Sequence, residues 1–316
     1  MANTITYIFK RILNAVPILI GVSLIAFILG VMAPGDPALE ILTMDGISYP
    51  TQQELDAMRD ELGLNDPIII QYFNWAKRAM RGDLGKSYMT NEAVFDEILR
   101  RLPITFSIAI LAVILAVIFG IPLGVLMAFK RYSLLDHLGR VIALVFISVP
   151  GFWLSFMLIT VFAEKLKIFP TSGYGSFKHI ILPSIILASG NIGVIMRLNR
   201  ATLIEEINKN YILTAKAKGL FDRVIIIHHA LINSIMPVIT YLGNYFGAIL
   251  GGSTIIETIF AIPGIGSFVV EGIFSRDYPV IQGYVLFMGV TYIIFNLLVD
   301  MCYVMVNPQI RLGGKN

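Results

Sequence analysis

The chain has 316 residues, of which 56% are hydrophobic and only 14% charged, and its formal net charge is +3. Soluble domains carry roughly 25% charged residues, so this composition, with a mean hydropathy of +0.77, excludes an ordinary soluble fold and indicates an integral membrane protein. The basic residues fall at the ends of apolar runs, where they set orientation rather than build a nucleic-acid surface. The single cysteine, Cys302, lies in the last apolar run, which rules out a disulfide or multi-cysteine metal framework within the chain.

About 20 apolar residues are needed to cross a hydrocarbon core. Runs of that kind place six helical spans near 12–32, 104–128, 141–163, 180–197, 237–257 and 281–305. Lys10 and Arg11 precede the first, but its run is too long for a signal peptide and Pro34-Gly35-Asp36-Pro37 follows it in place of a cleavage site. Short connections holding Lys130, Arg131, Arg140, Arg197, Arg200, Lys209, Lys216, Lys218 and Arg223 alternate with poorer ones holding Lys165, Lys167, Lys178 and Arg276. That asymmetry predicts a multi-pass protein with both termini in the cytoplasm.

The connection 33–103 then lies outside. Its apolar spacing predicts helices over 52–62 and 67–80, and a third over 91–102 with Asn91 as N-cap. Twelve acidic residues against seven basic ones make it mildly negative, either as a solvated surface or as a docking face for an external partner. Within it, Gly82-Asp83-Leu84-Gly85-Lys86-Ser87 imitates the end of a phosphate loop. Met80 stands where the first glycine belongs and no hydrophobic strand precedes it, so no nucleotide site is expected there.

The spans are nearly free of ionisable groups. Ion-coupled carriers need carboxylates or histidines at membrane depth, and here only Glu257, at the end of the fifth span, and Asp300, in the sixth, qualify. His228 and His229 are adjacent, a poor spacing for a metal pair on a helix, and no nucleophile and base form a set. Ser148, Asn191 and Asn244 are polar groups near span centres. They read either as helix-to-helix hydrogen bonds or, with Glu257, as pathway candidates.

Between the fourth and fifth spans the pattern predicts an elbow. Arg197 to Glu206 continues the fourth span, 211–218 forms a short helix, Gly219 caps it with a positive φ, and 222–235 returns to the membrane. Ala215 and Ala217 keep the short helix thin enough for a partner's groove, with Thr214, Lys216 and Lys218 beside them. The residues alone equally allow a basic loop that only enforces topology.

The run Asn210-Tyr211-Ile212-Leu213-Thr214-Ala215-Lys216-Ala217-Lys218-Gly219, then His229-Ala230-Leu231-Ile232-Asn233 and Pro237, resembles the signature of the dipeptide/oligopeptide/nickel branch of ABC-importer permeases. Lys216 replaces the branch's arginine. The opening Glu-Ala-Ala of the broader permease motif is absent, and Ile232 stands where that motif often has proline. Ala33-Pro34-Gly35-Asp36-Pro37, Leu62-Gly63-Leu64-Asn65-Asp66-Pro67, Gly82-Asp83-Leu84-Gly85, Gly120-Ile121-Pro122-Leu123-Gly124, Ile256-Glu257-Thr258-Ile259-Phe260, Pro263-Gly264-Ile265-Gly266, Arg276-Asp277-Tyr278-Pro279-Val280 and Asn307-Pro308-Gln309-Ile310-Arg311 extend the likeness over nearly the whole chain.

What the resemblance implies is an all-α membrane protein of six transmembrane helices with the type I ABC-importer permease fold. An N-terminal helix and a helical extracytoplasmic insertion would occupy 1–103, and the permease core 104–312, with a cytoplasmic coupling loop over 198–236. It further implies a bacterial or archaeal cell membrane, a second permease, two cytoplasmic ATPases that bind ATP and Mg2+, and an external substrate-binding protein. The chain itself would be no enzyme and hold no cofactor or metal. Thr214, Ala215, Lys216, Ala217, Lys218 and Gly219 would couple it to the ATPases. Short peptides are the expected cargo, nickel or a metallophore the alternative, and an ion-coupled secondary carrier the reading from another class.

Overall fold

A computed structural model describes residues 2–32, 35–44, 49–221 and 224–306. Ala33, Pro34, Asp222, Arg223 and residues 307–316 lie outside the described residues, as do the side chains of Lys10, Arg11, Asp300 and Cys302. In chain order the helices are α1 (Ala2–Met32), α2 (Pro37–Met44), α3 (Gln52–Glu61), α4 (Ile68–Ala79), α5 (Val94–Phe129), α6 (Leu134–Ser148) and α7 (Gly151–Leu158), which runs into a π-helical stretch, Ile159–Lys165. There follow α8 (Phe177–Ile207), α9 (Asn210–Ala217), a second π-helical stretch (Ile225–Ala230), α10 (Leu231–Ser234), α11 (Met236–Ile259), α12 (Ile265–Phe274) and α13 (Tyr278–Val306).

Among the described residues, four stretches are long and apolar enough to cross a membrane: Leu13–Met32, Val94–Phe129, Phe177–Ile207 and Tyr278–Leu298. Counting each of two bent pairs as one span brings the number to six: Leu134–Ser148 with Gly151–Lys165, bent by 98°, and Ile225–Ser234 with Met236–Gly251, bent by 48°. The third span is therefore not the continuous helix expected over 141–163. Pro150 has no amide to donate and pushes its predecessor out of helical geometry. Val149 accordingly sits at φ −74° and ψ 121°, α6 ends at Ser148, and α7 begins afresh at Gly151. The expected helix over 91–102 is also corrected, since these residues lead into the long α5. Asn91 is not its cap: it turns the chain at φ +57°, a left-handed value asparagine tolerates better than most residues.

The chain divides into two compact units, Met1–Pro103 with Gly264–Asn316, and Ile104–Pro263. In the first, Leu84, Val94 and Ile98 pack with Ile265, Phe268 and Val280. Ser87 Oγ donates to Asp277 Oδ2 at 2.6 Å, and the Met89 amide donates to the same oxygen at 3.2 Å. The Gly-Lys-Ser segment is built into this core. Lys86 pairs with Ala93 as an antiparallel bridge, and the Val94 amide donates to the Gly85 carbonyl at 3.0 Å. A phosphate loop instead aims its amides at the ligand and opens a helix. Nearby, Arg101 pairs with Glu97 and lies 4.2 Å from the centre of the Phe268 ring.

In the second unit α6 and α8 approach closely because Gly193 has no side chain: a Cβ there would stand 2.5 Å from the Ala143 carbonyl oxygen. At one end of this pair the buried Asp136 accepts two bonds from Arg200, at 2.6 Å from Nε and 2.8 Å from Nη2, and a third from the Tyr132 amide at 3.0 Å. Ile108, Leu182, Ile186, Ile256, Phe260 and Ile262 form a separate apolar core.

Candidate functional site

The short helix α9 stands off the end of α8 as an elbow. Asn208 ends α8, Lys209 adopts an extended conformation (φ −81°, ψ 153°), and the chain restarts as a helix at Asn210. Its end is equally defined: the Lys218 amide donates to Thr214 O at 3.1 Å, the Gly219 amide to Lys216 O at 2.9 Å, and Gly219 takes φ +79°. A side chain at that φ is strained, so glycine suits the stop.

The phase of α9 is set by one apolar anchor. Ile212 is completely buried and packs with Leu203 of α8, Ala128 of α5 and Ile225, Ile226 and Ala230 of the returning π-helical stretch. Burying a side chain of this size stabilises the elbow by about 2–3 kcal/mol. A polar clamp acts beside it. Tyr211 Oη donates to Glu206 Oε2 at 2.8 Å and accepts from Asn233 Nδ2 at 3.2 Å, while Lys209 Nζ lies 2.5 Å from Glu206 Oε1. Burial pushes the Tyr211 phenol above its ordinary pKa, and the Glu206 contact raises that of Lys209.

With Ile212 turned inward, the six expected coupling residues divide. Ala215, one turn on, is half-buried against the same core, whereas Thr214, Lys216, Ala217, Lys218 and Gly219 are exposed. Leu213 joins Ala217 on the outer face at helical i, i+4 spacing, and Phe221 just beyond is 81% exposed. The sequence reading missed Leu213, Phe221 and the Tyr211–Glu206–Asn233 clamp. The spacing of Ile212 and Ala215 carried the signal for the inward face.

The pathway candidates are more scattered. Asn191 Nδ2 donates to Leu187 O at 2.9 Å and its Oδ1 accepts from Tyr241 Oη at 2.5 Å, joining α8 to α11. Glu257 is wholly buried, with Oε1 accepting from Thr105 Oγ1 at 2.8 Å and Ser253 Oγ at 3.0 Å. Ser148, at the break between α6 and α7, and Asn244 are exposed.

Residues 120–312 match the family described as binding-protein-dependent transport system inner membrane component, and residues 4–109 match the corresponding N-terminal family. The chain belongs to this permease family. It is 37% identical over 312 residues to a putative peptide transport system permease protein of Brucella abortus (strain 2308), covering 96% of this chain and 98% of that one. It is also 37% identical over 307 residues to a glutathione transport system permease protein of Escherichia coli (strain K12), with 97% and 99% covered. An inward-facing structure of the MetNI methionine ABC transporter shares the fold, with a TM-score of 0.56 at 18% identity over 66% of this chain and 96% of that one. The permease is therefore a multi-pass inner membrane protein of the type I importer fold, its six spans including the two bent pairs.

Proposed function

We propose that this permease carries short peptides across the cell membrane as one half of a translocation pathway, driven by ATPases bound to α9. The observation that carries the reading is the fixed orientation of α9, held by Ile212 and the Tyr211 clamp with a small apolar and basic face left outward. The peptide cargo is supported by the names of the relatives, one a peptide and the other a glutathione permease. No observation favours nickel.

In this reading both termini lie in the cytoplasm, and the core over 104–312 follows an N-terminal span and an external helical region over 1–103. The coupling loop over 198–236 engages one of two ATPases, and the other engages a second permease. ATP and Mg2+ are held by those subunits. Closure of the ATPases moves α9, and α8, the returning π-helical stretch and α10 move with it, because Ile212 and Tyr211 join all of them. An external binding protein delivers peptide to the opened path. Thr214, Lys216, Ala217, Lys218 and Gly219 contact the ATPase, while Ala215 positions the helix from behind. Ser148 and Asn244, exposed polar groups on apolar helices, face the path rather than lipid, where they would be costly. Asn191 and Glu257 fix neighbouring helices.

The test is ATP hydrolysis by the co-purified complex in lipid, with its binding protein empty, peptide-loaded or loaded with nickel chelate. Stimulation by the peptide-loaded protein is expected. Stimulation by the metal complex alone would change the cargo, and failure to retain any ATPase would overturn the coupling role.

A further inference from the structure

We infer that α4 is a membrane-lying helix, its outward apolar stripe immersed in the lipid leaflet at the Met32 end of α1. This inference rests on the permease being a membrane protein and is independent of its cargo. Residues 33–103 read as a water-exposed insertion, yet α4 is fastened to α1 well inside the apolar span. Tyr72 Oη lies 2.9 Å from Ser23 Oγ, and the Tyr72 and Trp75 rings pack on Phe27 with centroids 5.5 and 5.9 Å away. Ser23 is nine residues from the end of the span Leu13–Met32, which at 1.5 Å per residue is about 13 Å below that end. A helix in contact there lies at the depth of acyl chains or of the interface, where Tyr and Trp are favoured.

The remaining faces of α4 fit that location. Tyr72, Trp75 and Ala79 face inward. Ile69, Phe73 and Met80 lie on one stripe beside them and are 70%, 66% and 82% exposed. A stripe so exposed would be poor in water, whereas lipid covers it as a continuation of the surface that α1 presents through Leu24, Ile28 and Val31. The third face holds Gln71, Asn74, Lys77 and Arg78. Lys77, Arg78 and the following Arg81 are three of the seven basic residues in 33–103, and 68–81 contains no acid. Cations at that end, edging an apolar stripe, suit lipid phosphates.

The experiment uses the whole transporter in phosphatidylethanolamine/phosphatidylglycerol nanodiscs, with cysteine-free partners and Cys302→Ser in this chain. An environment-sensitive fluorophore is placed in turn at Phe73→Cys, Met80→Cys and Asn74→Cys, with Ile28→Cys as the lipid reference. Phe73 and Met80 are 66% and 82% exposed, Asn74 is exposed and Ile28 is 39% exposed, so the substitutions spare the buried core. Spin-labelled acyl chains should quench the Phe73 probe to the same degree as the Ile28 probe, and iodide should quench the Asn74 probe several-fold more than either. Iodide quenching of the Phe73 and Met80 probes at the Asn74 level would overturn the inference in favour of an aqueous face. Shielding of both probes from iodide and from lipid quenchers, with crosslinking to the second permease, would overturn it in favour of a protein interface.

Discussion

Arg200 grips Asp136 with two parallel bonds, 2.6 and 2.8 Å long, and so ties the start of α6 to α8 two turns before the elbow. Asp136 has no exposure to solvent, and breaking a buried pair by removing one partner costs up to about 3–5 kcal/mol, less here because Arg140, 3.9 Å away, and the Tyr132 amide still face Asp136. Asp136→Ala and Arg200→Ala should each lower the thermal unfolding midpoint of the purified permease. The double replacement should cost less than the sum of the two, as read by thermal unfolding in a double-mutant cycle.

Ala215 and Ala217 should separate stability from coupling. Ala217→Phe meets only the exterior and should leave unfolding unchanged while lowering peptide-stimulated ATP hydrolysis. Ala215→Phe presses on the core around Ile212 and should lower both, and Ile212→Ala should cost about 2–5 kcal/mol. Equal loss of stability at 215 and 217 would show that the helix is turned differently.

The phosphate-loop imitation in the first unit predicts a split between neighbouring residues. Lys86→Ala should leave ATP-driven transport intact, because its side chain is exposed, the Ser87 amide donates to the Glu92 carbonyl and the Gly85 amide to Asp83 Oδ1. Ser87→Ala deprives the buried Asp277 of a 2.6 Å bond and should destabilise the permease by about 1–3 kcal/mol. Loss of ATP affinity in the assembled transporter on Lys86→Ala would contradict this assignment.

Helix α3 should loosen in acid. The Thr51 amide, and then its hydroxyl, donate to Glu54, which holds that carboxyl below its ordinary value. A carboxyl depressed in the folded state contributes its stability above the unfolded value, near pH 4.3, and loses it as pH falls through the folded one. Amide exchange at the start of α3, corrected for its intrinsic pH dependence, should therefore gain more protection in wild type than in Glu54→Gln as pH rises from strongly acid conditions. Identical profiles for the two proteins would remove the carboxyl from this role.

Much of this architecture was legible in apolar run lengths, because a helix that crosses lipid must satisfy its own backbone groups. The elbow was legible too, from Gly219 and the short helical run before it. The break in the third span was missed although Pro150 announced it, since run length was read without the backbone restriction that proline places on Val149. Asn91 was taken for a cap on composition, whereas Val94 begins the helix and Asn91 turns the chain before it. The inward turn of Ala215 depended on which residue of α9 would find a pocket, and that pocket is assembled from Leu203, Ala128 and Ile225, far apart in sequence. Burial of Glu257 likewise depended on Thr105, 152 positions away.

The tie between Ser87 and Asp277 has a bearing on biogenesis. Leu84, Val94 and Ile98 find Ile265, Phe268 and Val280 only after more than 160 intervening residues have left the ribosome. In the orientation proposed above, with 33–103 outside, the segment after α1 would cross the membrane early but wait, with apolar side chains uncovered, until the last third of the chain is made. Nascent chains arrested before residue 265 should accordingly expose this segment to protease, and its protection should appear as a late, single event in synthesis.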